Sequence, residues 1–287
     1  MKRQSIVVMI ILLTLIFLNL TTVKANIYLD DGLVHNISSQ FPHGNVYIDY
    51  QAPGMGTTIN LLPGGRISGS PIRAYNDCNF NMLGGLIDAS GNLYAYDNTQ
   101  ITFSSGAITN GGLFLYDNTE TTFSGGSMTN LGTNQNSMLS MFGGTITQQL
   151  MVDGSSEATV SGGAIGIRLV AGGSSLLTIT GGDLGYSTTS SEILATGSSV
   201  VTLIGSNFAV NGQDIGYGIL TSISGSTYGD EPWRHLSGTL LSGDDFSMFF
   251  KIAYDAKIVT IPAPSALILV IIGLGCSSWK LRKHKEC

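Results

Sequence analysis

Asp77, Asp97 and Asp117 stand 20 residues apart, with Asp153 further along. If turns of a repeat stack in register, carboxylates at that interval become neighbours. Neighbouring carboxylates raise one another's pKa or share a cation such as calcium, and a carboxyl pair at fixed separation is what glycoside hydrolysis requires. A polysaccharide lyase also needs an Arg or Lys beside the proton it removes. Between Arg73 and Arg234 the only Lys or Arg is Arg168, and no His lies between His43 and His235. A base or a substrate clamp therefore has almost nothing to be made from. Asp97-Asn98-Thr99 and Asp153-Gly154-Ser155 read more simply as solvated turns whose side chains bond nearby backbone amides.

Other reactive side chains are scattered. His35, His43 and His235 do not have metal-ligand spacing. Cys78 falls in the same slot of the repeat as Thr99, Thr119, Ser156 and Ser175, so it reads as a small packing residue; no basic neighbourhood lowers its pKa. The stretch "YGDEPWRHLSG", residues 228–238, gathers two acids, a Trp, an Arg and a His. It reads as a cap that buries Trp233, with a sugar-stacking Trp as the other possibility. No Lys or helical run follows any Gly-Gly pair, so these are corners and not phosphate loops. No metal or cofactor is implied.

The elements that must carry these residues form a repeat of roughly 20 residues, the kind of self-similarity that marks a solenoid. "NLYAYDNTQITFSSGAI" from Asn92 and "GLFLYDNTETTFSGGSM" from Gly112 are the clearest units; those beginning at Gln149, Arg168 and Glu192 share their grammar. The glycine corner recurs at 64, 84, 105, 125, 143, 162, 181 and 205. Each unit has a short alternating segment (Leu93, Ala95), a polar turn (Asp97-Asn98), a second short strand (Thr102-Phe103), a Gly-Gly corner and an apolar residue that starts a further face (Ile108). Strands this short are stable only if each pairs in parallel with its copies above and below, about 4.8 Å away.

The expected fold is all-β: a parallel β-helix or β-solenoid of eight rungs, roughly 35 to 40 Å long at that spacing. A β-sandwich or jelly roll also has many short strands, but its loops are unequal in length. Residues 57–210 hold the repeats. Residues 26–56 and 211–260 lack them and are expected to cap the exposed end strands.

The ends set the compartment. Lys2 and Arg3 precede an apolar stretch from Ile6 to Leu20 and a Val23-x-Ala25 site, the layout of a secretory signal peptide cut between Ala25 and Asn26; the alternative is an uncleaved anchor. Residues 26–264 carry six Lys or Arg against 18 Asp or Glu, a balance of −12. A surface this acidic repels phosphate backbones, which excludes nucleic acid as a partner. Cys78, Cys276 and Cys287 make no disulfide framework, and "GLGC" at 273–276 is misplaced for a lipoprotein box. Residues 261–287 read "IPAPSALILVIIGLGCSSWKLRKHKEC". Pro262 and Pro264 stop a helix from extending outward, 266–279 form a short apolar helix able to cross a membrane, and Lys280, Arg282, Lys283 and Lys285 remain cytoplasmic.

A signal peptide, a Gly/Ser/Thr-rich exported domain, Pro-x-Pro, a short apolar helix and a terminal basic cluster together resemble the PEP-CTERM proteins. The resemblance covers residues 262–285: Pro262, Ala263 and Pro264 match the signature, with Ala263 where it carries Glu. It implies export through the Sec machinery in a Gram-negative bacterium, processing by an exosortase-type membrane cysteine protease, and delivery to the cell surface, often alongside exopolysaccharide and biofilm. The expected function is therefore that of a non-enzymatic surface or matrix protein held at the inner membrane until its tail is processed. The alternatives are a carbohydrate-active β-helix enzyme, lyase or hydrolase, and a permanently anchored adhesin.

Overall fold

The computed structural model describes residues 26–42, 44–51, 54–69, 71–88, 91–186, 191–221 and 233–264. Every regular element in them is a β-strand, and none is a helix long and apolar enough to cross a membrane. His43, the export segment through Ala25, and the tail with its 266–279 segment, Lys280, Arg282, Lys283 and Lys285 lie outside these residues.

The described strands wind into a β-solenoid of about eight turns built on three parallel ladders, two of which gain a further strand at each end. The first ladder stacks Ile27–Leu29, Val46–Ile48, Ile72–Ala74, Leu93–Ala95, 113–115, 131–133, 150–152, Arg168–Ala171, Glu192–Ala195 and 249–252. The second runs from Val34–Ile37 and Thr58–Leu61 through 100–103 and Glu120–Phe123 to 200–203 and 257–260. The third, shorter ladder follows the glycine corners from Arg66–Ser68 to 183–184.

Alternation decides which side chains are buried, because successive residues of a strand face opposite ways. Leu93, Leu113, Leu131, Leu150 and Leu169 form one inward column, and Phe103, Phe123, Met141, Val160 and Ile179 another. The corner between the first two ladders needs a left-handed residue in each turn. Asp49, Asn76, Asp97, Asp117, Gln135, Gly154, Gly173 and Gly197 all have φ between 52° and 71° there, mostly residues that tolerate this region. Two places after the corner, or eight after Asp49 in the first turn, comes a buried small-residue column: Thr57, Cys78, Thr99, Thr119, Ser137, Ser156, Ser175 and Ser199. Its hydroxyls turn back onto carbonyls, Thr99 Oγ1 donating to Tyr96 O at 2.7 Å and Ser137 Oγ to Asn134 O at 2.8 Å.

The two glycines of the corner do different work. In the central turns only the second does so: Gly126, Gly144 and Gly163 lie at φ +83° to +89°. The first is needed for close approach, since a Cβ on Gly125 or Gly143 would fall 2.2 or 2.5 Å from the Ser104 or Ser124 carbonyl oxygen one turn below.

Parallel pairing also continues past 57–210 at both ends. Residues 27–48 already stand in register with the next turn, although their turn lengths hide this from a 20-residue comparison. At the other end 249–260 complete a further pair of parallel strands after an antiparallel excursion in which Arg234–Leu240 pairs with Asp245–Ile252 and with the extension of Val200–Val210.

Candidate functional site

The acidic series at 77, 97, 117 and 153 separates into three columns. The left-handed corner sets the register, and it falls on Asn76, Asp97, Asp117 and Gly154, so the spacing between the first two is 21 and not 20. Asp77 aligns instead with Asn98 and Asn118, whose side-chain amides continue its column: Asn98 Nδ2 donates to Asp77 Oδ1 at 3.3 Å and Asn118 Nδ2 to Asn98 Oδ1 at 3.4 Å. Asp153 precedes its corner and its Oδ1 accepts from the Gly154 amide at 2.7 Å. Asp97 and Asp117 are neighbours, and each gives one carboxylate oxygen to a backbone amide of the turn below: Asn76 N at 3.1 Å and Asp97 N at 3.2 Å. Among the described residues no group of three or more His, Cys, Asp or Glu could hold a metal ion.

Several basic side chains are likewise engaged. Arg66 bonds Asp88, with Nε to Oδ2 at 2.5 Å, and Arg168 pairs with Glu192 of the adjacent turn. His35 Nε2 lies 3.0 Å from Asp31, and His235 Nε2 lies 3.0 Å from Ser247. A concavity of about 180 Å³ on the second ladder, lined by residues that include Gln100, Thr102, Glu120, Thr122, Met138 and Ser140, contains a single carboxylate and no Lys, Arg or His. Cys78 is fully buried; burial, and secondarily the Asp49 charge, push its thiol far above the usual range, which disfavours the nucleophilic thiolate.

What the columns do bring together is aromatic. Outward positions of the first ladder stack Tyr28 on Tyr47, 5.2 Å between centroids, then Arg73, then Tyr94 on Phe114 at 5.5 Å. The Arg73 guanidinium sits 5.6 Å from the Tyr47 ring and 5.7 Å from the Tyr94 ring, an arrangement favoured by the ring quadrupole. Beside this column the residues preceding the corner form a second one: Tyr75, Tyr96 and Tyr116 stack at 4.9 and 5.1 Å with interplanar angles of 12°. Tyr50 links the two, 5.4 Å from Tyr47 and 5.0 Å from Tyr75. Tyr47, Tyr75, Tyr94, Tyr96 and Tyr116 are partly exposed; Tyr50, tilted by 49° and 54° against its neighbours, is 51% exposed. Burial first, and neighbouring phenols second, raise the Tyr75, Tyr96 and Tyr116 pKa values, so these hydroxyls stay protonated donors.

Sequence reasoning passed over this strip. Its signal was a Tyr one place before the corner at 75, 96 and 116 together with the outward 47, 73 and 94. No protein-family model matches the chain, and no curated protein or solved structure compared with it matches either.

Two other expected features lie at the C-terminal end. Trp233 is not buried by a cap: it is 42% exposed, with the Lys251 ammonium 5.7 Å from its ring, because Arg234 and Leu236 supply the inward contacts of that strand. Pro262 ends the final parallel strand, Lys257–Pro262, opposite Gly205, and Ala263 and Pro264 follow it directly. The Ala263 amide donates to Gly205 O at 2.9 Å, and both prolines are exposed.

Proposed function

We propose that this chain is an exported, non-enzymatic cell-surface or extracellular-matrix protein, sorted through its PEP-CTERM-like tail, whose solenoid is a stiff rod that binds exopolysaccharide along its aromatic strip. The observation that carries this reading is the pair of aromatic columns joined by Tyr50 and flanked by Arg73. Phenol hydroxyls and ring edges repeated at the strand spacing suit a repeating polymer better than a single small ligand. Tyrosine contributes contact area and a hydrogen-bonding tip together. The balance of −12 over residues 26–264 favours a neutral glycan over a polyanion.

A non-catalytic role is supported by the engagement of Arg168 with Glu192 and of the Asp97 and Asp117 carboxylates with backbone amides. In the sorting step, export through Sec leaves the tail in the inner membrane, and an exosortase-type enzyme acts near Pro262-Ala263-Pro264. Both prolines of this motif are exposed, and the Ala263 amide ties it to the Val200–Val210 strand, so a processing enzyme can reach it without unfolding the rod.

Affinity electrophoresis through neutral polysaccharides tests the binding role: retardation that is lost when Tyr50 and Tyr96 become Ala is the expected result. Cleavage of an acidic polysaccharide, abolished by replacing Asp97 or Asp117, would replace this reading with the enzyme alternative. Intact mass of the mature protein from its own host tests sorting, and retention of the peptide through Cys287 would favour the anchored adhesin.

A further inference from the structure

We infer that the C-terminal end of the solenoid is a membrane-docking face that rests in the headgroup region of the bilayer holding the tail. This rests on the proposed insertion of residues 266–279. Strand Gly218–Thr221 pairs antiparallel with Lys257–Pro262 on the edge opposite Val200–Val210, which makes it the outermost strand of the second ladder. Exposed edge strands are normally polar or charged. This one carries Ile219, 61% exposed, and follows the exposed Tyr217.

Tyr254 adds to the same end. It occupies the left-handed corner of the last turn, with φ 60°, where earlier turns place Asp, Asn, Gln or Gly. A bulky residue is unfavourable there, and Tyr254 is 61% exposed. Ile261 and Trp233 complete the set, both also exposed. Trp, Tyr and aliphatic side chains in this mixture suit the membrane–water interface.

The opposite end of the rod exposes Leu33 and Val34, so apolar exposure alone does not choose the face. The tether does. Ala266 lies two residues past Pro264, at most about 7 Å of extended chain, so a membrane-inserted tail holds this end against the lipid surface. At that effective concentration even a weak interfacial affinity suffices.

The test uses the exported chain, residues 26–287 without the signal peptide, with Trp279→Phe, leaving Trp233 as its single indole, reconstituted into phosphatidylcholine vesicles that contain lipids brominated near the headgroup. Trp233 emission is expected to be quenched about twofold, as for a side chain seated in the interface. Ile219→Asn with Tyr254→Gly should abolish the quenching while the chain still floats with the vesicles; the glycine also relieves the corner, and retained circular dichroism shows the fold intact. Flotation without quenching overturns the docking face alone. Failure to float overturns the membrane reading of the tail and the docking face with it. Concentration-dependent, lipid-independent shielding of Trp233 assigns the face to a second copy and overturns the inference.

Discussion

The carboxylate of Asp117 accepts the backbone N–H of Asp97, one turn nearer the N-terminus, at 3.2 Å. Both residues are left-handed, with φ 57° and 59°, so each acid relieves two problems at once: it tolerates the corner conformation, and it satisfies an amide that the corner turns away from the ladder. Asp117→Asn keeps both properties and should change stability by less than about 0.5 kcal/mol. Asp117→Ala loses the hydrogen bond and meets the left-handed penalty, about 2 to 3 kcal/mol together. Asp117→Gly loses only the bond, about 1 kcal/mol. Urea denaturation of the three variants checks this order; equal Ala and Gly values would remove the conformational part of the explanation.

Gly126→Ala should be among the most damaging single changes in the rod. A Cβ there meets Phe103 Cε1 at 2.5 Å and Gly106 O at 2.6 Å, on a backbone with φ +84°. A loss of about 3 kcal/mol or more is expected from strain and overpacking together. Gly212 has φ +76° but open space around its Cβ position, so Gly212→Ala should cost only about 1 kcal/mol. Thermal melts of the pair separate conformation from contact.

Thr121 faces the core in the column of Ile101 and Leu139, and its buried Oγ1 has no hydrogen-bond partner. Thr121→Val keeps the shape and removes the unsatisfied hydroxyl, so it should stabilise the protein by about 1 kcal/mol. An unchanged or lowered denaturation midpoint would mean that the hydroxyl is satisfied in solution.

Cys78 should resist thiol reagents in the folded protein at pH 8 and react fully in denaturant, as read by peptide mass mapping. Its ionisation is suppressed in the fold. Below its ordinary value of 9.0 the group is protonated in both states and leaves stability unchanged. Above it the unfolded chain releases the proton and the folded chain keeps it, so stability falls with rising pH by up to about 1.4 kcal/mol per unit. Cys78→Thr, which restores the hydroxyl of its column, should remove this part of the alkaline decline.

The parallel β-solenoid was legible in the sequence because a repeat of nearly constant length leaves few ways to bury its apolar positions. Leu93, Leu113 and Leu150 can share an inward column only if successive turns stack, and the slot shared by Cys78, Thr99 and Thr119 already predicted a buried thiol. What a fixed interval could not supply was register to one residue. Asp77, Asp97 and Asp117 look like a ladder at spacing 20, but hydrogen bonding aligns left-handed corners with each other, and this moves Asp77 into the column of Asn98. The same local geometry extended the parallel ladders into 27–48 and 249–260, whose turns differ in length from the repeat. The aromatic strip arises only in three dimensions, because Tyr47, Arg73 and Tyr94 are 26 and 21 residues apart and become neighbours through parallel pairing. Sequence periodicity determines that turns stack; the hydrogen-bond register of the folded rod decides which side chains share a surface.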